Sequence, residues 1–197
     1  MKQILPDIWS WSWYSEEKGM NFNGYYIEKG DEKVLIDPPL MSTADMYFIS
    51  QKGITDIILT NRDHIRDAPS IKDRVKAKVW APTADASEMD GNLVDRRFKD
   101  GSILPGGLKV VSLNNEKSPG ESALYLNQSE GIMILGDALI GKPAGMLNLL
   151  PGEKYLDFHK AKIGLRRLLD YSFEIVLVGD GTPIMNGGRK AVETALK

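Results

Sequence analysis

The chain has 197 residues, 42% of them hydrophobic, a net charge of −2, no Cys and only two His, His64 and His159. Without thiols there are no disulfides, thiol nucleophiles or iron–sulfur clusters, and two imidazoles fall short of the usual catalytic zinc set. Lys and Arg are scattered along the chain, so no basic footprint for nucleic acid or an anionic membrane is evident, and no apolar run suits a membrane span or an export signal.

Residues 8–14 (IWSWSWY) alternate large and small with period 2, which predicts a strand with Trp9, Trp11 and Trp13 on one buried face. NGYYIEK and KVLID flank the turn formers Gly30 and Asp31, a hairpin stopped by Asp37-Pro38-Pro39. Ser42-Thr43 opens a short helix that Gly53 closes. The apolar run Ile57-Ile58-Leu59 has the character of a strand buried on both faces. It leads directly into Thr60-Asn61-Arg62-Asp63-His64-Ile65-Arg66-Asp67, the densest group of reactive side chains in the sequence. A helix at about 68–77 and the strand KVWAP follow, a βαβ-like unit with the polar loop at the carboxyl end of its first strand, where ligands gather.

LKVVSLNN, ALYLNQ and IMILGD read as three further strands, the last ending at Asp137. A Gly/Pro-containing loop (141–152) precedes an amphipathic helix over 156–172, with Phe158, Ala161, Leu165, Leu168 and Leu169 on one stripe. His159 shares the opposite, solvated face with Lys162, Arg166 and Asp170, which removes it from the chemistry. EIVLVGDG is a last buried strand ending at Asp180, and a terminal helix begins near Arg189. Asn186-Gly187-Gly188 ahead of that helix offers N–H groups to an anion, but the signal is weak and a plain helix-start turn is the preferred reading.

Four polar points therefore stand at strand ends: the Asn61–Asp67 loop, Lys117 in EKSPGES, Asp137 in LGDA and Asp180 in VGDG. Their order resembles the metallo-β-lactamase superfamily over nearly the whole chain. The resemblance implies a single α/β (α+β) domain over 1–197. Its architecture would be a four-layer αββα sandwich, two mixed sheets face to face with helices outside, built from pseudo-repeats at about 1–106 and 107–197. NGYYI with KVLIDPP resembles the family's opening hairpin, DIILT the strand before its metal motif, SPGES the turn after a metal histidine, and LGDAL the strand with the bridging Asp.

The ligand positions depart from that pattern. The motif T-H-x-H-x-D-H falls ungapped on Thr60 to Arg66, so Asn61 and Asp63 occupy two histidine positions, Ile65 that of the aspartate and Arg66 that of the third histidine. Lys117 replaces the His before S-P-G, Asp180 the His of G-H-G, and Asp137 alone is retained. A di-zinc centre, which needs imidazole, is not expected. The expectation is a metal-free site at which Arg66 and Lys117 pair with Asp63, Asp137 and Asp180, because buried carboxylates need a neighbouring cation. A cytoplasmic small-molecule-binding or regulatory protein follows, with Asn61 and Arg66 toward ligand, and a homodimer as the base-rate assembly. Two alternatives stay open: an ester, thioester or phosphoester hydrolase using Asp63, His64 and Lys117 as acid–base groups, and a Mg, Mn or Ca site on Asn61, Asp63, Asp137 and Asp180.

Overall fold

The computed structural model describes residues 1–197. Seven strands, β1 (Lys2–Leu5), β2 (Ile8–Ser15), β3 (Met20–Lys29), β4 (Glu32–Ile36), β5 (Asp56–Ile58), β6 (Lys78–Pro82) and β7 (Arg96–Phe98), form one sheet in chain order. β1 to β4 are antiparallel and β4 to β7 parallel. The second sheet runs β12-β11-β10-β9-β8 from β8 (Ile103–Leu104), β9 (Leu108–Ser112), β10 (Ser122–Leu126), β11 (Ile132–Leu135) and β12 (Ile175–Val178), with only β11 and β12 parallel. The helices are α1 (Thr43–Lys52), α2 (Ala68–Val75), α3 (Phe158–Leu165) and α4 (Gly188–Ala195).

The strands' near-continuous apolar runs explain the four layers. Successive side chains leave a strand on opposite faces, so Val34, Ile36, Ile58, Ile132, Ile134, Ile175 and Leu177 meet between the sheets. Their neighbours Leu35, Ile57 and Leu59 point outward onto Ile49 of α1 and Ala68 and Ile71 of α2. Met133, Leu135, Val176 and Val178 likewise point out, onto Leu165, Val192 and Leu196 around α3 and α4. Truncating an inter-sheet residue such as Ile58 or Ile134 to Ala costs about 2–5 kcal/mol. The two sheets face each other with helices outside, the four-layer α/β arrangement expected. No helix is long and apolar enough to cross a membrane.

Two local expectations need correction. The helix over 156–172 is shorter: Asp157 caps α3 by accepting the Lys160 N–H at 3.0 Å, and Arg166–Asp170 tightens into a 3₁₀ turn. The Trp stripe is not uniformly buried, since Trp11 is in the core while Trp13, near the β2–β3 tip, is 41% exposed and rests on Phe22. At the turn that opens α4, Glu174 accepts the Gly187 N–H through its carboxylate and the Gly188 N–H through its carbonyl, so these two groups are not free for an anion.

Candidate functional site

The parallel pairs β4/β5 and β11/β12 end at the same edge of the sandwich, and the residues that follow them converge. Asp37 comes directly after β4, Thr60 to Arg66 after β5, Asp137 after β11 and Asp180 after β12. Glycine precedes each of the last two aspartates because the strand ends pass so closely. A Cβ on Gly136 would lie 2.3 Å from Thr60 Oγ1, and one on Gly179 would lie 2.5 Å from His64 Cε1.

Asn61, fully buried, shapes the loop. Its Oδ1 accepts the N–H groups of Asp63 (2.8 Å) and His64 (3.1 Å), closing a 3₁₀ turn over Arg62–His64, and its Nδ2 donates to Glu121 at 2.7 Å. Glu121 in turn accepts the N–H groups of Asp137 and Ala138. Burial and the adjacent Asp137 push the Glu121 carboxyl well above the usual range. Asp85 brackets the other side, accepting from Arg62 N, Gly120 N and the Ser118 hydroxyl, and so fixes the turn that carries Lys117.

The Asn61 turn carries His64 back onto Asp37, whose carboxylate accepts from the Thr60 N–H and hydroxyl and from His64 Nδ1 at 2.7 Å. His64 Nε2 faces Asp137 at 3.5 Å. Burial and the nearby Arg66 oppose charging this imidazole, yet Asp37 and Asp137 outweigh them and push it up to about 10. Nδ1 faces the Asp37 carboxylate and donates to it, while Nε2 stands 3.3 Å from the Arg66 guanidinium and 3.5 Å from Asp137. Burial alone would raise Asp137, but His64 and Lys117 hold it well below the usual carboxylate range.

Two further cations complete the floor. Lys117 Nζ lies 2.8 Å from Asp137 and 2.9 Å from Asp63; burial opposes its charge, and the two carboxylates more than compensate, so it stays protonated. Arg66 uses both terminal nitrogens: one donates to the carbonyls of Asn23 (2.8 Å) and Asp37 (3.1 Å), the other to the Gly179 carbonyl (3.2 Å) and Asp180 (2.6 Å). Its guanidinium also stands 4.9 Å over the Phe22 ring. Burial raises Asp180, with His64 and Arg66 opposing. Asp37 (φ 46°) and Arg66 (φ 45°) are held in the left-handed region, a cost of order 1–3 kcal/mol each that tertiary contacts must offset.

A cavity of about 560 Å³ opens over this floor, lined by 14 residues from the β2–β3 tip, the site loops and the 140–154 segment. Asp63, His64, Arg66, Lys117, Asp137 and Asp180 all reach it. Asn61 does not line it and acts behind the wall, and His159 is exposed on α3. The cavity also brings in Lys18, Lys142 and Lys154, which sequence reasoning did not single out. Asp37, Glu121 and Asp85 were likewise missed as organising groups; burial of an acidic residue beside a strand end is the signal they carry, and it is visible only in three dimensions. Beside the site Glu116 is buried with Oε1 lacking a hydrogen-bond partner, and burial pushes its carboxyl up to about 8.

The donor set bears on metal binding. His64, Asp137 and Asp180 bring ligand atoms within 4.8 Å of one another, a grouping with His64 where the sequence reading had Asp63. Each member is already paired: His64 with Asp37, Asp137 with Lys117, Asp180 with Arg66. A divalent ion there would sit against two fixed cations and one imidazole, which does not fit a di-zinc centre.

The family model described as the metallo-β-lactamase superfamily matches residues 1–196. No curated protein sequence matches the chain. Among solved structures, the fold is similar to a metallo-β-lactamase from Pontibacter korlensis (17% identity, TM-score 0.75, covering 99% of this chain and 97% of that one). It is also similar to a metallo-β-lactamase family protein from Thermus thermophilus (19%, 0.69, 98% and 79%). A flavo di-iron protein mutant from Thermotoga maritima is a third (18%, 0.71, 99% of this chain and 60% of that one).

Proposed function

The chain belongs to the metallo-β-lactamase superfamily, and from the side chains at its site we propose that it is a metal-free, small-molecule-binding member that has lost the di-zinc hydrolase centre. The observation that carries this reading is the pair of cations seated on the site carboxylates. Lys117 bridges Asp63 and Asp137, and Arg66 is locked to Asp180 and three carbonyls, each at a position where the family pattern has a histidine. A cation that satisfies the carboxylates removes both the space and the electrostatic demand for a metal ion.

The same arrangement speaks against an acid–base hydrolase built on His64. A general base must be unprotonated at the working pH, whereas Asp37 and Asp137 push this imidazole up to about 10 and its Nδ1 is already engaged with Asp37 at 2.7 Å. What the site offers a ligand is a rigid, charged floor and a cavity, which is binding chemistry.

A second reading has one observation in its favour, the 4.8 Å grouping of His64, Asp137 and Asp180. A hard cation such as Mg or Mn there would have to displace Lys117 and Arg66 from their partners. Thermal unfolding with EDTA and with added Zn, Mg or Mn separates the readings, because an ion bound to the folded state raises its stability by mass action. A metal-free site predicts melting curves that superimpose; a shift upward with one ion, reversed by EDTA, would overturn it.

A further inference from the structure

Resting on that metal-free reading, we propose that the cavity takes a small organic anion with an apolar body, its charged group held by Lys142 and Lys154 and its body against Phe22, Ile140 and Leu150. The charges lining the cavity are unequally committed. Arg66 and Lys117 are tied to carboxylates on the floor, and Lys18 pairs with Glu17 at 2.8 Å. Lys142 donates only to the carbonyls of Lys18 (3.1 Å) and Gly19 (3.2 Å), so its full charge is uncompensated while its position across the mouth is fixed. Lys154 has no carboxylate within 4.0 Å.

Leaving aside the His64–Asp37 and Lys18–Glu17 pairs, Arg66, Lys117, Lys142 and Lys154 stand against Asp63, Asp137 and Asp180, an excess of one positive charge on the cavity lining. A cleft of one sign raises the local concentration of the opposite one. A cationic ligand is thus disfavoured, and a bare inorganic anion would leave Phe22, Ile140 and Leu150 facing water. The volume, about 560 Å³, is that of a small-molecule pocket. A carboxylate and a phosphate ester share the required chemistry.

The test is calorimetric titration of the purified full chain with naphthyl phosphate, naphthoate and naphthalenemethanol, which share one apolar body, and with inorganic phosphate, which lacks it. One or both organic anions should bind, and the better one identifies the headgroup; the neutral alcohol and inorganic phosphate should bind at least about tenfold more weakly, or about 1.4 kcal/mol. Binding should weaken with added salt, and the double variant K142A/K154A should lose about tenfold in affinity with an unchanged circular dichroism spectrum. Equal binding of the alcohol, no binding of either anion, or an unaffected double variant would overturn the proposal. The alcohol comparison uses the unaltered protein and stands even if the variant misfolds. Elemental analysis of the same samples separates the two readings, since stoichiometric metal removes the metal-free premise whereas failed anion binding in metal-free protein removes only this inference.

Discussion

Replacing Arg66 by Met keeps the aliphatic stem and the left-handed backbone but deletes the guanidinium, which isolates the cation's contribution. Asp180 loses its 2.6 Å partner, and the carbonyls of Asn23 and Asp37 lose theirs. The Gly179 carbonyl still accepts from the Asn23 N–H at 2.7 Å, so it is not orphaned. Breaking one side of a buried ion pair costs about 3–5 kcal/mol. Asp180, already raised by burial with Arg66 opposing, will rise further and neutralise itself, which limits the cost. We expect R66M to lower unfolding stability at pH 7 by about 3–4 kcal/mol, and the deficit to shrink as the pH falls and Asp180 takes up a proton. D180N alone should cost less, and the double variant R66M/D180N should cost clearly less than the sum of the two, a coupling of at least about 1–2 kcal/mol. Urea unfolding followed by Trp fluorescence at pH 5 and pH 7 provides all four corners of the cycle. If R66M lies within about 1 kcal/mol of the parent, or its deficit is the same with Asn at position 180, the guanidinium is not a fixed structural cation and the reasoning fails.

Other consequences can be checked the same way. His64 gains its raised affinity for protons only in the folded state, so its contribution is complete below the unfolded value near 6.5 and is lost as the pH rises through about 10. Stability should therefore fall from pH 7 to pH 10, and the His64 ring resonances should titrate near the upper end; titration near 6.5 would refute the Asp37–His64–Asp137 arrangement. Glu116, neutral in the folded state until about pH 8, opposes stability above the unfolded carboxyl value of 4.5. E116Q should raise stability at pH 7 by up to about 3 kcal/mol and flatten the profile between those values, whereas a destabilised E116Q would mean that the carboxylate has a partner. G179A forces a Cβ to within 2.5 Å of the His64 ring and should cost about 1–3 kcal/mol in urea unfolding while G145A, whose Cβ meets nothing but which carries its own positive-φ strain, leaves the His64 titration unmoved; an unshifted His64 resonance in G179A would contradict the packing.

The parts of the fold legible in the sequence are those set by local pattern. Ile57-Ile58-Leu59, IMIL and IVLV announce buried strands because every position is apolar, and Gly53, Pro38 and Pro39 stop elements through their own backbone restrictions. Asp137 and Asp180 could be placed at strand ends for the same reason. The orientation of His64 could not, because it depends on Asn61 closing the 3₁₀ turn and on Asp37, 27 residues away, accepting from the ring. An ungapped alignment set His64 between ligand positions, and the turn brings it into the wall regardless. The rim lysines were invisible for a similar reason: Lys18 sits on a hairpin tip and Lys142 and Lys154 on a distant loop, and only the packing of one across the other makes them a set. Trp13 followed its strand period but not its burial, since the end of a hairpin projects past the layer that would cover it.

The most direct measurement is elemental analysis of untagged protein purified without chelator, with protein concentration from amino-acid analysis. Lys117 and Arg66 seated on the site carboxylates predict substoichiometric zinc, iron, manganese and magnesium, unchanged after incubation with each ion and desalting. One equivalent of any of these metals per chain, retained through desalting and lost when Asp137 is changed to Asn, would contradict it.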